Sequence, residues 1–232
     1  MPLNKSAGNM YDWVTSTHSH LAGECSHKCK YCYVQKNRFG VSPRYKGEPR
    51  LKEDELNVNY GSGKSIFIEH MNDLFAESIK YSWIQKILSH CKEYPNNTYV
   101  FQTKNPNKAF NLWEIGSYFP KDFIMGTTIE SDIYYPEISS APAPGERYLG
   151  IRKFKSIGVK TFVTIEPIME FNIDVLSVWI VDAHPDFVNI GADSKGCHLP
   201  EPSKEKILEL IKILTENKIV IKQKSNLQRI LK

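Results

Sequence analysis

The 232-residue chain lacks long apolar runs and carries only a small excess of positive charge. No apolar segment approaches the roughly 20 residues that a membrane-spanning helix requires. Residues 1–6 contain no apolar core of the kind found in signal peptides. Lysine and arginine number 30 against 26 acidic residues, and 41% of the residues are hydrophobic. These features predict a globular protein in the cytoplasm with no membrane association.

Cysteine is scarce, and its five copies cannot all pair with one another. An odd number argues against the disulfide framework of a secreted domain, so we expect reduced thiols and a cytoplasmic location. Cys91 falls on the apolar stripe of a predicted helix and is interpreted as a core residue. Cys197 is isolated in sequence and follows a predicted strand.

The other three cysteines, Cys25, Cys29 and Cys32, lie within eight residues at C-x3-C-x2-C spacing. Iron–sulfur clusters are held by cysteine thiolates, usually four, so three cysteines in one loop would leave one iron of a [4Fe–4S] cluster open to another ligand. Zinc is the alternative, with His27, His18 or His20 completing a tetrahedral set. Zinc modules usually show paired ligands at two places, and no second pair occurs here.

Positive charge is concentrated between positions 28 and 52, where Glu48 is the sole acidic residue. The basic residues of this stretch are Lys28, Lys30, Lys36, Arg38, Arg44, Lys46, Arg50 and Lys52. Tyr31, Tyr33, Phe39 and Tyr45 are interleaved with them. Basic residues mixed with aromatics suit a nucleotide or a nucleic-acid strand. The alternative is a solvated loop whose charge is balanced by the acidic residues at 53–55.

Short apolar runs alternate with amphipathic segments along the chain, which predicts a parallel β-sheet with outer helices. The predicted strands are 11–17, 65–69, 98–103, 123–128, 159–165, 187–191 and 219–222. The predicted helices are 78–94, 106–115, 147–157, 174–181 and 203–217, with a final turn at 227–231. We therefore expect one α/β domain over residues 1–232, an incomplete TIM-type barrel of six to seven parallel strands.

Two other segments need an interpretation. The connection 131–146 is long and proline-rich, and it follows the end of a strand, so it is a candidate lid over the mouth of the barrel. The sequence Gly-Ser-Gly-Lys-Ser at 61–65 imitates the end of a phosphate-binding loop. It lacks the first glycine of that motif and precedes a strand rather than a helix, so we interpret it as a turn.

Polar residues lie at or directly after the carboxyl ends of most predicted strands, where catalytic residues of parallel barrels lie. Examples are the acidic residues Glu69, Glu130 and Glu166 and the segment Gln-Thr-Lys at 102–104. Each residue alone could be an ordinary polar loop group. Together they indicate a polar ligand at the mouth of the barrel.

The cysteine motif resembles that of the radical S-adenosylmethionine (SAM) superfamily, and its Cys-Lys-Tyr-Cys-Tyr ending at 29–33 is similar to spore-photoproduct-lyase-like members. The chain also resembles, over residues 11–224, a phage- and prokaryote-associated radical SAM family of poorly defined function. This similarity is carried by Met-Asn-Asp-Leu-Phe at 71–75, Trp-Ile-Gln at 83–85, Gln-Thr-Lys-Asn-Pro at 102–106, Gly-Thr-Thr-Ile-Glu at 126–130 and Ile-Glu-Pro-Ile at 165–168. Asn72 and Glu24 stand where such families often have glycine.

The resemblance implies that Cys25, Cys29 and Cys32 bind a [4Fe–4S] cluster whose open iron takes the amino and carboxylate groups of SAM. Reductive cleavage would give a 5′-deoxyadenosyl radical that abstracts a substrate hydrogen, with the electron supplied by a flavodoxin- or ferredoxin-like donor. Tyr31 would pack near the adenine, and Asn72 and Asp73 would face the methionine amino group. The candidates for binding the carboxylate and ribose of SAM are Gln102, Thr103, Thr128 and Glu130. Glu166 is a candidate for one further contact.

Cys197 is a candidate hydrogen donor to a substrate radical, and the alternative is a loop cysteine with no role. The function expected from the resemblance is radical chemistry on a substrate that could be a nucleotide or nucleic acid. A second hypothesis is a non-catalytic nucleic-acid-binding protein stabilised by zinc or a cluster. Simple electron transfer is the third, although that class usually provides four cysteines per cluster.

Overall fold

The structure is a computed structural model that describes residues 3–6, 10–37, 39–116 and 118–232. Its strands are β1 (Asn4–Lys5), β2 (Ser16–His18), β3 (Leu21–Ala22), β4 (Arg50–Leu51), β5 (Ser65–Ile68), β6 (Thr98–Thr103), β7 (Phe123–Thr128), β8 (Lys160–Ile165), β9 (Phe187–Ile190) and β10 (Ile221–Gln223). Its helices are α1 (Tyr81–Lys92), α2 (Pro106–Ile115), α3 (Pro144–Ser156), α4 (Ile173–Ala183), α5 (Lys204–Glu216) and α6 (Gln228–Leu231). Short 3-10 turns cover Pro43–Tyr45, Glu53–Asn57 and Ser225–Leu227.

Eight strands form one sheet in the order β1-β2-β5-β6-β7-β8-β9-β10. β1 is antiparallel to β2, and the other seven strands run parallel. No pairing joins β10 to β1 in the part of the chain that the structure describes, so the sheet is open. The predicted α/β partial barrel is therefore confirmed. The small ribbon β3–β4 was not predicted.

The inner face of the sheet has an apolar floor. Successive residues of a strand point to opposite faces, and Phe67, Val100, Ile124, Phe162 and Phe187 contribute one inward side chain each from β5 to β9. The next inward positions toward the carboxyl ends are polar on four of these strands, Glu69, Gln102, Thr164 and Asn189, and β7 has Gly126 there. The barrel is thus closed below by aromatic and aliphatic packing and lined above by groups that can bind a ligand.

Helices cover the outer face, where the larger apolar core lies. On α5 the buried residues Ile207, Leu210 and Leu214 follow the predicted helical spacing. Ser203 caps this helix as expected, because its hydroxyl accepts a hydrogen bond from the Lys206 N–H at 3.3 Å. Pro106 occupies the first turn of α2, where its missing N–H costs no hydrogen bond.

The start of the barrel differs from the sequence prediction of a strand over 11–17. β2 covers Ser16–His18, whereas the Val14 N–H closes a turn onto the Tyr11 carbonyl at 3.0 Å. The turn directs Tyr11 into the barrel, against Phe67 and Phe162. Burial of this aromatic ring therefore outweighs its strand propensity.

The predicted helix 147–157 begins three residues later than α3 does in the structure. The helix begins at Pro144, and the Glu146 carboxylate accepts a hydrogen bond from the Ala143 N–H at 3.0 Å. A side chain in the first turn thus satisfies a backbone donor that the helix itself cannot. Among the described residues, no helix is both long and apolar enough to cross a membrane.

Candidate active site

A cavity of about 590 Å³ opens at the carboxyl ends of the parallel strands. Its wall combines the cysteine loop, residues 24–33, with residues from the ends of β5, β6, β7 and β8. The predicted site residues on this wall are Cys25, Cys29, Tyr31, Cys32, Asn72, Asp73, Gln102, Thr103, Thr128 and Glu166. Two predicted residues, Glu130 and Cys197, do not line it. The fold thus brings predicted site residues from Cys25 to Glu166 together at one cavity.

The three cysteines of the loop are free thiols presented by consecutive turns. The Lys28 N–H donates to the Cys25 carbonyl at 3.3 Å, and the Cys32 N–H donates to the Cys29 carbonyl at 3.0 Å. Burial, with nearby Asp73, raises the pKa of the Cys25 thiol to about 12. A thiolate at this position therefore requires a positive centre to offset its burial, as a metal cluster provides.

The histidines that a zinc site would need are engaged elsewhere. His27 pairs with Asp73, His20 pairs with Glu69, and His18 lies 3.4 Å from Glu55. Within the described residues, no three His, Cys, Asp or Glu side chains are close enough to share one metal ion. The three cysteines line one cavity together.

The loop after β5 holds the cysteine loop from one side. Glu69, buried at a φ of 60°, accepts hydrogen bonds from the backbone N–H groups of His20 at 2.6 Å and Leu21 at 3.2 Å. Asn72 donates from its side-chain amide to the Gly23 carbonyl at 3.1 Å. These contacts fix the backbone that leads from β2 and β3 into the first cysteine.

Asp73 accepts more side-chain hydrogen bonds than the other acidic residue of this loop, Glu69. Its carboxylate accepts from His27 Nε2 at 2.8 Å, the Lys104 N–H at 2.8 Å, the Thr103 hydroxyl at 2.7 Å and the Phe75 N–H at 2.9 Å. Burial acts to raise the pKa of Asp73, but the charge and hydrogen bond of His27, with the other donors, outweigh it and hold the pKa below its usual value. Asp73 is therefore a carboxylate in the folded protein.

The segment 138–140, part of the predicted lid, holds the cysteine loop from the opposite side. The Lys30 N–H donates to the Ile138 carbonyl at 2.9 Å, and the Ser140 N–H donates to the His27 carbonyl at 2.7 Å. The hydroxyl of Ser139 lies 3.2 Å from Cys29 Sγ. The 131–146 connection therefore contacts the cysteine loop directly, and a lid movement stays a prediction.

Gly23 directly precedes the cysteine loop, at a position that has no room for a side chain. Its φ is 88°, and a Cβ there would lie 2.2 Å from the Glu48 carbonyl oxygen. The Gly23 N–H also donates to the Arg44 carbonyl at 2.8 Å, and the Glu24 N–H donates to that of Gly47 at 2.8 Å. Part of the predicted basic stretch thus forms the base on which the cysteine loop rests.

Glu130 lies at the centre of a buried charge cluster beside the cavity. It accepts a hydrogen bond from Tyr31, and its carboxylate lies 2.6 Å from Arg147 Nη1 and 3.2 Å from Lys104 Nζ. Burial acts to raise the pKa of Glu130, but Arg147 and Lys104 outweigh it and lower the pKa to about 2. Glu130 therefore orients Tyr31 and Lys104, which do line the cavity. Arg147 could not be identified from sequence because it lies on a helix 17 positions away.

Polar side chains lie next to the apolar floor at the base of the cavity. The Tyr11 hydroxyl donates to Gln102 Oε1 at 2.7 Å and lies 2.8 Å from the Thr164 hydroxyl. The Gln102 amide donates to the Thr128 hydroxyl at 2.9 Å. These bonds fix the orientation of two predicted ligand contacts. Tyr11 was not predicted as a site residue, because its position in an assumed strand gave no sign of this role.

Glu166 lies at the other end of the cavity, near β9 and β10. Its carboxylate lies 2.9 Å from Lys224 Nζ and accepts from the Asn226 amide at 2.8 Å. A Cβ at Gly191 would lie 2.8 Å from the Glu166 carboxylate, so only glycine leaves room for it. This end of the cavity therefore carries a fixed pair of opposite charges.

Cys197 lies in the loop after β9 but away from the cavity wall. Its N–H donates to Asp193, a residue that does line the cavity. Burial and Asp193 raise the pKa of the Cys197 thiol. The hydrogen-donor role of Cys197 stays a prediction.

The predicted basic stretch divides into a structural part and an exposed part. Arg44 is bonded to Glu55 at 2.6 Å and to the Ser19 carbonyl. In contrast, the lysines near the cysteines are exposed, and so are Tyr33, at 47%, and Phe39, at 82%. Exposed members of the stretch are Lys28, Lys30, Lys36, Lys46, Arg50 and Lys52. Arg38 lies outside the described residues.

The fold is similar to those of solved proteins. A single-residue mutant of spore photoproduct lyase gives a TM-score of 0.62 at 10% identity, covering 96% of this chain and 80% of that chain. A double mutant of the lyase, with bound AdoMet and dinucleoside spore photoproduct, gives 0.53 at 13% identity over 90% and 63%. SuiB of Streptococcus suis, bound to its precursor peptide SuiA, gives 0.61 at 11% identity over 90% and 48%.

These neighbours are radical SAM enzymes, so the fold expected from the resemblance to that superfamily is confirmed. At such low identities the likeness concerns the fold alone, and this chain spans about half the length of SuiB, 48%. No curated protein matches the chain. A family pattern described as "Protein of unknown function (DUF5131)" matches residues 9–194, which include all three loop cysteines and the ends of β5 to β8 that line the cavity. The chain therefore belongs to the DUF5131 family.

Proposed function

We propose that this protein is a radical SAM enzyme. The observation that carries the proposal is that Cys25, Cys29 and Cys32 line one cavity at the carboxyl ends of the parallel strands. When bound there, a [4Fe–4S] cluster and SAM together supply a 5′-deoxyadenosyl radical that abstracts a hydrogen atom from a substrate. The protein contributes binding, orientation and exclusion of water, as is usual for cofactor enzymes.

The three thiols would hold three irons of the cluster, and the fourth iron would remain open for SAM. Tyr31 would pack against the adenine, because Glu130 and Lys104 fix its position on the cavity wall. The predicted SAM contacts with side chains on the wall are Asn72, Gln102, Thr103, Thr128 and Glu166. The cavity volume, about 590 Å³, lies within the roughly 300–1,000 Å³ range of small-molecule sites.

The apolar floor supports this assignment because radical chemistry requires a site closed to water. Phe67 lines the base of the cavity, and Tyr11 seals it through its bonds to Gln102 and Thr164. The exposed Lys28 of the cysteine loop lines the cavity, so a bound substrate would lie next to its positive charge.

We propose further that the substrate is a nucleotide or a nucleic-acid strand. Lys28, Lys30 and Lys36 are exposed on the cysteine loop or directly after it, together with the aromatic rings of Tyr33 and Phe39. Lysines neutralise phosphates, and exposed rings stack on bases. One fold neighbour carries a dinucleoside photoproduct and another a peptide. The positive charge of these exposed lysines favours the nucleotide class.

The class is tested by anaerobic reconstitution with iron and sulfide, followed by SAM and dithionite. We expect 5′-deoxyadenosine to form, because reductive cleavage of SAM does not require the true substrate to be known. The Cys29→Ala variant should form none, and Cys91→Ala, which removes a buried core thiol outside the loop, is the control for general thiol loss. One zinc per chain without labile sulfide would instead support the alternative of a zinc-stabilised, non-catalytic nucleic-acid-binding protein.

The substrate class is tested by binding of a single-stranded oligonucleotide at several salt concentrations. We expect Lys28→Glu, Lys30→Glu and Lys36→Glu together to weaken binding and to lower the slope of log K against log salt by about 2. Charge reversal of Lys204, Lys212 and Lys218, which are exposed on α5 and after it, is the matched control. Equal effects of the two triple variants, or no binding by the wild type, would contradict the assignment.

A further inference from the structure

The carboxylate of Asp73 is saturated by protein donors. Each of its two oxygens accepts two hydrogen bonds, from Thr103 and the Phe75 N–H on one side and from His27 and the Lys104 N–H on the other. A carboxylate has about four lone-pair sites. No acceptor site is left for the ammonium group of an incoming ligand without the loss of an existing bond.

His27 connects the two segments that enclose the cysteine loop. It lies between Cys25 and Cys29, and its ring reaches Asp73 on the β5 side at 2.8 Å. Its carbonyl accepts from the Ser140 N–H at 2.7 Å and the Ser139 hydroxyl at 3.3 Å on the other side. The ring and the carboxylate are both buried, so the pair is shielded from solvent.

We propose that the Asp73–His27 pair is a positioning device that holds Cys25 and Cys29 in place for the cluster, and that Asp73 is not a SAM ligand. The inference rests on the proposed function, and it replaces the role that the sequence resemblance implies for Asp73. The physical reason is that a short loop with three thiols has many conformations. A buried, charge-assisted bond to its middle residue removes most of them before the cluster binds.

The experiment compares His27→Ala, Asp73→Asn and the double variant in the full chain after anaerobic reconstitution. Two quantities are measured separately: the affinity for the cluster, from iron and sulfide retained against a chelator, and the affinity of the cluster-loaded protein for SAM. His27→Gln is the conservative variant, because its amide can still donate to Asp73. Asp186→Asn is the matched control, because Asp186 also accepts a backbone N–H bond, from Thr161 at 2.8 Å, but outside the cavity.

We expect each single variant to lose roughly 10-fold or more in cluster retention. The double variant should lose no more than the worse single variant, because both changes remove the same bond. His27→Gln should recover part of the loss, and the SAM affinity of the loaded protein should not change.

A tenfold loss of SAM affinity in Asp73→Asn, with normal cluster retention and no effect of His27→Ala, would overturn the inference and restore Asp73 as a SAM ligand. Normal retention in all variants would also overturn it. If Asp73→Asn does not fold by circular dichroism, the comparison of His27→Ala with His27→Gln decides the matter. A wild-type protein without iron and sulfide would refute the proposed function itself, which is a distinguishable result.

Discussion

At the scale of single residues, His18, His20 and Tyr60 form a group of buried titratable side chains. The rings of His18 and His20 are tilted by 44° with centroids 4.4 Å apart, and His20 Nε2 lies 2.9 Å from the Tyr60 hydroxyl. Burial, together with neighbouring histidines, lowers the pKa values of His18 and His20 to about 3. Both rings are therefore neutral in the folded protein at pH values where the unfolded chain would protonate them.

We predict that this burial makes the protein sensitive to acid. The pKa of His18 is ordinarily 6.5 and falls to about 3 in the folded protein. Between these two pH values the unfolded state binds a proton at His18 that the folded state does not, so stability falls as the pH falls. Burial raises the pKa of Glu69 from 4.5 to about 7. Between these pH values the folded state binds a proton at Glu69 that the unfolded state does not, so this residue increases stability as the pH falls. The test therefore compares the wild type with His18→Gln.

From pH 6.5 to 4.5 the wild type should lose on the order of 2 kcal/mol more unfolding free energy than His18→Gln, measured by denaturant titration at each pH. His198→Gln, which changes an exposed ring, is the control and should parallel the wild type. Identical pH slopes for the wild type and His18→Gln would contradict the prediction.

How far single residues could be predicted depends on how local their partners are. The three cysteines were identified because their spacing is confined to eight residues of sequence. The bonding of Asp73 could not be foreseen, because His27 lies 46 positions away and no pattern links the two. Glu130 likewise was expected on the cavity wall, but Arg147 and Lys104 hold it behind the wall.

At the scale of elements, α2 and α3 approach each other closely at Gly150. A Cβ at this position would lie 2.7 Å from Pro106 Cγ and 2.8 Å from the Asn107 nitrogen. Both atoms belong to the first turn of α2, and the nitrogen is backbone that cannot rotate away. Glycine at this position therefore sets the distance between the two helices.

We predict that Gly150→Ala destabilises the protein by about 1–3 kcal/mol, because the added methyl group must separate the helices. Gly145→Ala, in the same helix, is the matched control: its Cβ would meet Trp179 at an ordinary 3.4 Å. That change should be neutral or add up to about 1 kcal/mol through better helix propensity. Denaturant unfolding measures both, and a neutral Gly150→Ala would contradict the packing argument.

The elements that could be predicted with their full bounds are β6, β7 and α2. Each is flanked by clear signals, such as Pro106 at the start of α2, and each carries the period of its class. β1, β3 and β4 were missed because each has two residues, too few for any period to show. Their formation depends on partners distant in sequence.

At the scale of the whole molecule, the fold separates an apolar floor from a polar mouth. The floor is made by inward residues such as Phe67 and Phe162, and the mouth by the strand ends and the cysteine loop. Alternation of β and α segments was enough to predict this architecture. The enclosure of the cysteine loop by the segments 69–73 and 138–140 was not predictable, because it arises only when the barrel forms.

The measurement that tests the central claim most directly is electron paramagnetic resonance of the anaerobically reconstituted, dithionite-reduced protein, with and without SAM. The account predicts the signal of a reduced [4Fe–4S] cluster whose shape changes when SAM binds the iron that no cysteine holds. The Cys29→Ala variant should lose this signal. A wild-type protein that shows no cluster signal, or a cluster signal that SAM leaves unchanged, would contradict the account.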